Sequence, residues 1–265
     1  MNKKSALIST SLAVSVSKRS ARLAVVGVAA WFLSACMVTM NGAQLNDSQL
    51  ASTKKIAVVS VSADFILFSR AGMLNSTIAP LNVSAWGLDA VYGERFASAL
   101  TKSLRVPAEV YAGPRLDALK RVYSESYVLN ADKFDWKTIA PTVKAIAAET
   151  QSDLVAVLLQ DGVFDELAPT KHLLSGQGVS AGRQACAAYS NLILVLLDGK
   201  TAEPVAGSSL YIPRAPRRVA VPALYCSKQL KGMSDEEAQA LRRVLLSMVN
   251  EEMAAQTVSR LSKKN

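Results

Sequence analysis

Short apolar runs alternate along this chain with stretches whose apolar residues recur every three or four positions, the pattern of strands interleaved with helices. The first run, Leu23 to Leu33 (LAVVGVAAWFL), follows a polar, basic leader. Lys54-Lys55 then precede Ile56 to Val61, a β-branched apolar run that predicts a strand. Phe65 to Phe68 predicts a second strand or an extension of the first, and Gly72 with Asn75 to Thr77 predicts a turn. Leu88, Tyr92, Phe96, Leu100 and Leu104 recur at helical spacing, weakened by Gly93, and Pro107 predicts the end of that helix. Glu109 to Tyr111 reads as a short strand. Pro114 opens a helix with Leu116, Leu119, Val122 and Tyr123 on one face, and a further helix is expected over residues 141–150.

Leu154 to Leu159 is apolar throughout, which suits an inner strand covered by helices. Residues 161–182 are glycine-rich and read as loop. Asn191 to Leu197, the turn Asp198-Gly199-Lys200, and Val205 to Ile212 predict a hairpin. Residues 213–232, rich in Pro and Arg, read as irregular. The last element is an amphipathic C-terminal helix that opens on a capping box, Ser234 with Glu237, and carries Leu241, Val244, Leu245, Met248, Val249 and Ala255. Arg260, Lys263 and Lys264 suit its negative end. The expected class is α/β, with α+β as the alternative: a mixed β-sheet packed by helices.

The apolar run at Leu23 is about half the roughly 20 residues that span a bilayer. It follows Lys3, Lys4, Lys18, Arg19 and Arg22 with no acid, the grammar of a secretory signal. It exits through Leu33-Ser34-Ala35-Cys36, which resembles the lipobox of bacterial lipoproteins. The resemblance implies cleavage before Cys36 and lipid on that cysteine; a retained membrane helix is the alternative. It also implies an outer-membrane destination, because Met37 stands where an aspartate holds enterobacterial lipoproteins at the inner membrane. The expected organisation is a signal peptide over 1–35, a lipidated Cys36 and tether over 36–53, and one periplasmic domain over 54–265.

This reading changes charge and cysteine use together. Loss of five basic residues lowers the formal charge from +9 to +4, which weakens any case for nucleic acid. With Cys36 carrying lipid, Cys186 and Cys226 are left in an oxidising compartment and are expected to pair; two buried thiols are the alternative. By order of elements, residues 54–261 are similar to the α/β modules of envelope proteins. These are penicillin-binding-protein activators of the LpoB type, CsgG-like secretion lipoproteins and the amino-terminal domain of TolB.

Catalytic patterns are sparse. Gly178-Val179-Ser180-Ala181-Gly182 matches a nucleophile elbow in letters, but the sole histidine, His172, precedes the serine, against hydrolase order. Asp161, Asp165 and Glu166 fail the EF-hand spacing. No phosphate- or dinucleotide-binding motif is present, so no cofactor and no metal site are expected. Arg214, Arg217, Arg218, Lys228 and Lys231, interleaved with prolines, form a candidate surface for an anionic envelope component or an acidic protein face. The expected function is that of a membrane-anchored, non-catalytic binding or assembly module. The alternatives are a cell-wall hydrolase and a lipid-carrier or transport accessory protein.

Overall fold

The sequence folds around two sheets and the helices that cover them. The computed structural model describes residues 42–71, 76–123, 136–165, 172–182, 185–210 and 217–262. Helices in order are α1 Asp47–Ser52, α2 Leu88–Leu104, α3 Arg115–Tyr123, α4 Trp136–Thr150, α5 Ala223–Ser227, α6 Asp235–Met248 and α7 Glu251–Ser259. The first sheet holds β1 Ile56–Ser60, β4 Ala108–Val110, β5 Leu154–Gln160, β10 Leu192–Asp198 and β11 Pro204–Ser209, in the order β11-β10-β5-β1-β4. Strand β1 runs parallel to β4 and β5, and β10 and β11 join antiparallel. The second sheet holds β2 Phe65–Ala71, β3 Ser76–Asn82, β8 Gln177–Ala181, β9 Cys186–Ser190 and β12 Arg218–Ala220, in the order β12-β9-β8-β2-β3. Strands β6 Gly162–Asp165 and β7 His172–Ser175 pair as a hairpin. The chain is thus α/β with a mixed sheet and a helical C-terminal end.

The apolar runs explain the layering. Ile56, Val58, Leu154, Ala156, Leu158, Leu192 and Leu194 turn toward α2, α6 and α7, while Ala57, Val59, Val155, Val157, Ile193 and Val195 turn toward α3 and α4. Every residue of β1 and β5 is therefore buried, as strands covered on both faces require. The second sheet adds Ile66, Phe68, Val179 and Ala188 to the α2–α6–α7 core. Gly93 weakens α2 in propensity but serves packing: a Cβ there would lie 3.3 Å from the Val110 side chain on β4.

Several expectations are corrected. Residues 161–182, expected as loop, contain β6, β7 and β8, and Cys186–Ser190 is a strand of its own. Small residues hid them: Gly178 is obligatory because a Cβ would collide with the Leu67 carbonyl oxygen of parallel β2. Ser76 and Thr77 belong to β3, an edge strand where Pro80 is tolerated because the edge has a free side. Residues 213–232 include β12 and α5. Helix α4 begins at Trp136, so Pro141 lies inside it; Ile139, Val143 and Ile146 bury the face that outweighs the lost backbone bond. The capping box at Ser234 and Glu237 is present, but the expected single helix is two, restarted by Asn250, whose side chain accepts from the Met253 N–H. Lys263 and Lys264 lie outside the described residues.

Residues 42–53 also depart from a free tether. Asn46 caps α1, and Leu45 is buried. Gly42 N–H donates to Gly207 C=O, Gly207 N–H to Ala43 C=O, and Leu45 N–H to Leu261 C=O.

Three ladders meet at one point. The Asp161 N–H donates to Asn191 C=O at 2.8 Å, the Asn191 N–H to Gly176 C=O at 2.7 Å, and the Gly176 N–H to Asp161 C=O at 2.9 Å. This closed backbone triangle sits where β5/β10, β6/β7 and β8/β9 converge.

Candidate functional site

In an open α/β sheet the usual ligand crevice lies at the carboxyl ends of parallel strands. Strands β1 and β5 end side by side, and the chain leaving β1 turns at Ser62 and Ala63. Their backbone N–H groups both donate to Asp89 Oδ1 at 3.1 Å, and the Ser60 hydroxyl donates to the same oxygen at 2.6 Å. Asp89 stands in the first turn of α2, where the helix dipole favours negative charge. Its Oδ2 lies 2.9 Å from Lys120 Nζ on α3, and Lys120 also reaches Asp64 Oδ1 at 2.9 Å. Backbone N–H groups that converge in a turn make a ready anion site, and here Asp89, a carboxylate of the chain itself, occupies the one formed by Ser62 and Ala63.

The electrostatics follow from burial and these partners. Burial alone would lower the Lys120 pKa, but the Asp89 and Asp64 carboxylates outweigh it and the net shift is upward. Lys120 therefore stays an ammonium at neutral pH and is poorly suited to act as a base. Burial raises the Asp64 pKa; the Lys120 hydrogen bond opposes this and the charge of Asp89 adds to it. Beside the triad, the Gln160 N–H donates to the Tyr123 hydroxyl at 2.8 Å, and the Gln160 side chain donates to Ser62 C=O at 2.9 Å. The strand ends are thus tied to α3 and to the β1–β2 loop. Sequence reading did not find this cluster. An acid in the first turn of α2 was its one local signal; its partners come from elements far apart in sequence.

The second region is the one nominated by sequence. Cys186 on β9 and Cys226 on α5 form a disulfide, with Cα atoms 5.8 Å apart. It joins the second sheet to the segment carrying the basic residues. Arg217 is exposed, Arg218 lies on β12 opposite Tyr189, and Lys231 is exposed in the turn after α5. Lys228 is committed elsewhere: its ammonium lies 3.0 Å from both carboxylate oxygens of Glu237, whose carboxylate also accepts from the Ser234 N–H. It holds the start of α6. Arg214 and Cys36 lie outside the described residues.

The remaining sequence candidates fall apart spatially. Ser180 is buried within β8, paired to Ser69 on one side and Ala187 on the other, so Gly178 to Ala181 is strand and not an elbow. His172 and Asp165 are backbone register partners in the β6/β7 hairpin. Asp161 stands at the triangle, where the Ser209 hydroxyl and the Gly162 N–H donate to its carboxylate; Glu166 lies outside the described residues. Among the described residues no three His, Cys, Asp or Glu side chains gather as a metal-ligand set, and no helix is long and apolar enough to cross a membrane.

A scan of protein-family models finds no match to the chain, and a search of curated proteins finds none either. Among solved structures, the chain is similar to the PelC dodecamer from Paraburkholderia phytofirmans, at 9% identity over 79% of this chain and 89% of that one, with a TM-score of 0.32. It is similar to lipoprotein GNA1162 from Neisseria meningitidis at 14% identity, over 76% and 98%, with a TM-score of 0.28. It is also similar to the LpoB C-terminal domain from Salmonella enterica at 13% identity, over 63% and 82%, with a TM-score of 0.22. These TM-scores are too low for any property of this chain to be argued from them.

Proposed function

We propose that this chain is a lipid-anchored protein of the bacterial cell envelope whose domain binds or assembles with another envelope component and catalyses no reaction. The observation that carries the non-catalytic reading is that the strand-end donors are taken by the chain's own Asp89. The donors that an α/β sheet commonly turns toward a ligand are turned onto Asp89, and the nearby lysine is locked between two carboxylates. Anchoring rests on Leu33-Ser34-Ala35-Cys36 at the exit of a short apolar run. The Cys186–Cys226 bridge fits an oxidising compartment. Met37 favours the outer membrane, with the domain facing the periplasm. The partner surface centres on Arg217, Arg218 and Lys231, with Arg214 beside them in sequence.

The anchor is tested by growing cells with an alkynyl palmitate and measuring the mass of the amino-terminal peptide. The expected result is an acylated Cys36, lost with Cys36→Ser together with detergent-phase partitioning. An unmodified Cys36 in the mature protein overturns anchoring. The binding reading is tested by cross-linking the lipidated protein in cells and identifying what it captures. Neutralising Arg214, Arg217 and Arg218 together should weaken that capture most at low salt; unchanged capture would move the partner surface elsewhere.

A further inference from the structure

The stretch between the proposed lipid and the first strand is mostly built into the domain. Gly42 and Ala43 exchange backbone bonds with Gly207 on β11, each at 3.0 Å, and Leu45 donates to Leu261 C=O at 2.7 Å. The Gln44 side chain donates to Arg260 C=O at 3.1 Å. Leu45 is 1% exposed, and Leu50 packs against the same core. Pulling this strap away would expose the Leu45 side chain to water and break the bonds as well.

Only six residue steps separate Gly42 from Cys36, and covalent geometry limits them to about 20 Å whatever their conformation. We propose that the docked strap fixes how the anchored domain meets the membrane: the side formed by residues 42–45, β11 and the end of α7 faces the phospholipid surface at close range. The partner is then one that lies on that same membrane surface. This inference rests on the lipid anchor at Cys36 proposed above and adds orientation and reach to it. The chemistry of the strap suits headgroups more than the acyl layer, because its exposed residues Gly42, Gln44, Asn46, Asp47 and Ser48 include no apolar side chain and one carboxylate. The opposite edge of the sheet, β4, is four strand spacings from β11, or about 19 Å. A short leash also holds the domain at high effective concentration toward neighbours in its own membrane and away from anything beyond its span.

The test uses the lipidated chain in vesicles whose lipids carry a short-range headgroup quencher. A fluorophore is placed by azido-phenylalanine at Gln44 or, in a second protein, at Glu109 on β4. The separation across the sheet predicts at least about threefold stronger quenching at position 44 than at 109. A Gly-Ser insert of about 20 residues between Thr39 and Met40 should lower quenching at 44 and erase the difference. Equal quenching at the two positions in a chain whose Cys36 mass shows lipid overturns the orientation and leaves the anchor standing. Absence of lipid on Cys36 overturns both.

Discussion

Two single positions report how closely this fold is drawn. At Gly178, a β-carbon would penetrate the Leu67 carbonyl, so β8 and β2 could accommodate it only by separating. Gly178→Ala is expected to destabilise by about 1–3 kcal/mol, read from urea denaturation, through collision; at exposed Gly42 a β-carbon would meet open space and the cost would come from its φ of 102° instead. Asp161 reports on charge. Burial raises its pKa, against the bonds from the Ser209 hydroxyl and the Gly162 N–H. The folded state therefore binds the proton more tightly than the unfolded one, and stability is lost as pH rises from the ordinary carboxyl value of 3.8 through the folded value. Asp161→Asn keeps an acceptor and removes the ionisation. Its melting temperature should exceed that of the parent at pH near 7, with the gap closing below pH 3.8. A gap that persists or grows in acid would assign the effect to packing instead of charge.

At the level of elements, the disulfide is the clearest lever. It closes a segment with a sequence separation of 40, for which the chain-entropy model gives about 4 kcal/mol. Replacing Cys186 and Cys226 together with Ser should lower the urea midpoint by an amount that reductant reproduces in the parent protein. Equal midpoints with and without reductant would mean the bridge adds nothing. The pairing was legible because only two cysteines remained once Cys36 was set aside. The strands of the first sheet were legible for a different reason: Ile56 to Val59, Leu154 to Leu159 and Leu192 to Leu197 are buried on both faces and so are continuously apolar. The second sheet was not, because β8 and β9 are built largely from Gly, Ser and Ala, whose small side chains allow close approach and carry no periodic signal. The Asp89–Lys120–Asp64 cluster was illegible too, since an ion pair between α2 and α3 leaves no trace in local spacing.

Across the molecule, the two sheets share one core and one crossing point. The α2–α6–α7 core takes residues from both, and Tyr92 on α2 donates from its hydroxyl to Gln177 at the start of β8. The backbone triangle of Asp161, Gly176 and Asn191 fixes the register of that crossing. Each corner donates through its N–H to one neighbour and accepts at its C=O from the other, and the corners fall at equal intervals along the chain, 15 residues apart. Length is consequently policed unevenly. A residue added between β6 and β7 or between β8 and β9 leaves all three corners in place and should be tolerated. One added between Gln160 and Asp161, or between Ser190 and Asn191, shifts a strand against two neighbours at once and turns its inward side chains outward. Relatives of this chain should therefore vary in length at the hairpin tips and hold a constant count along each arm that leads into the triangle.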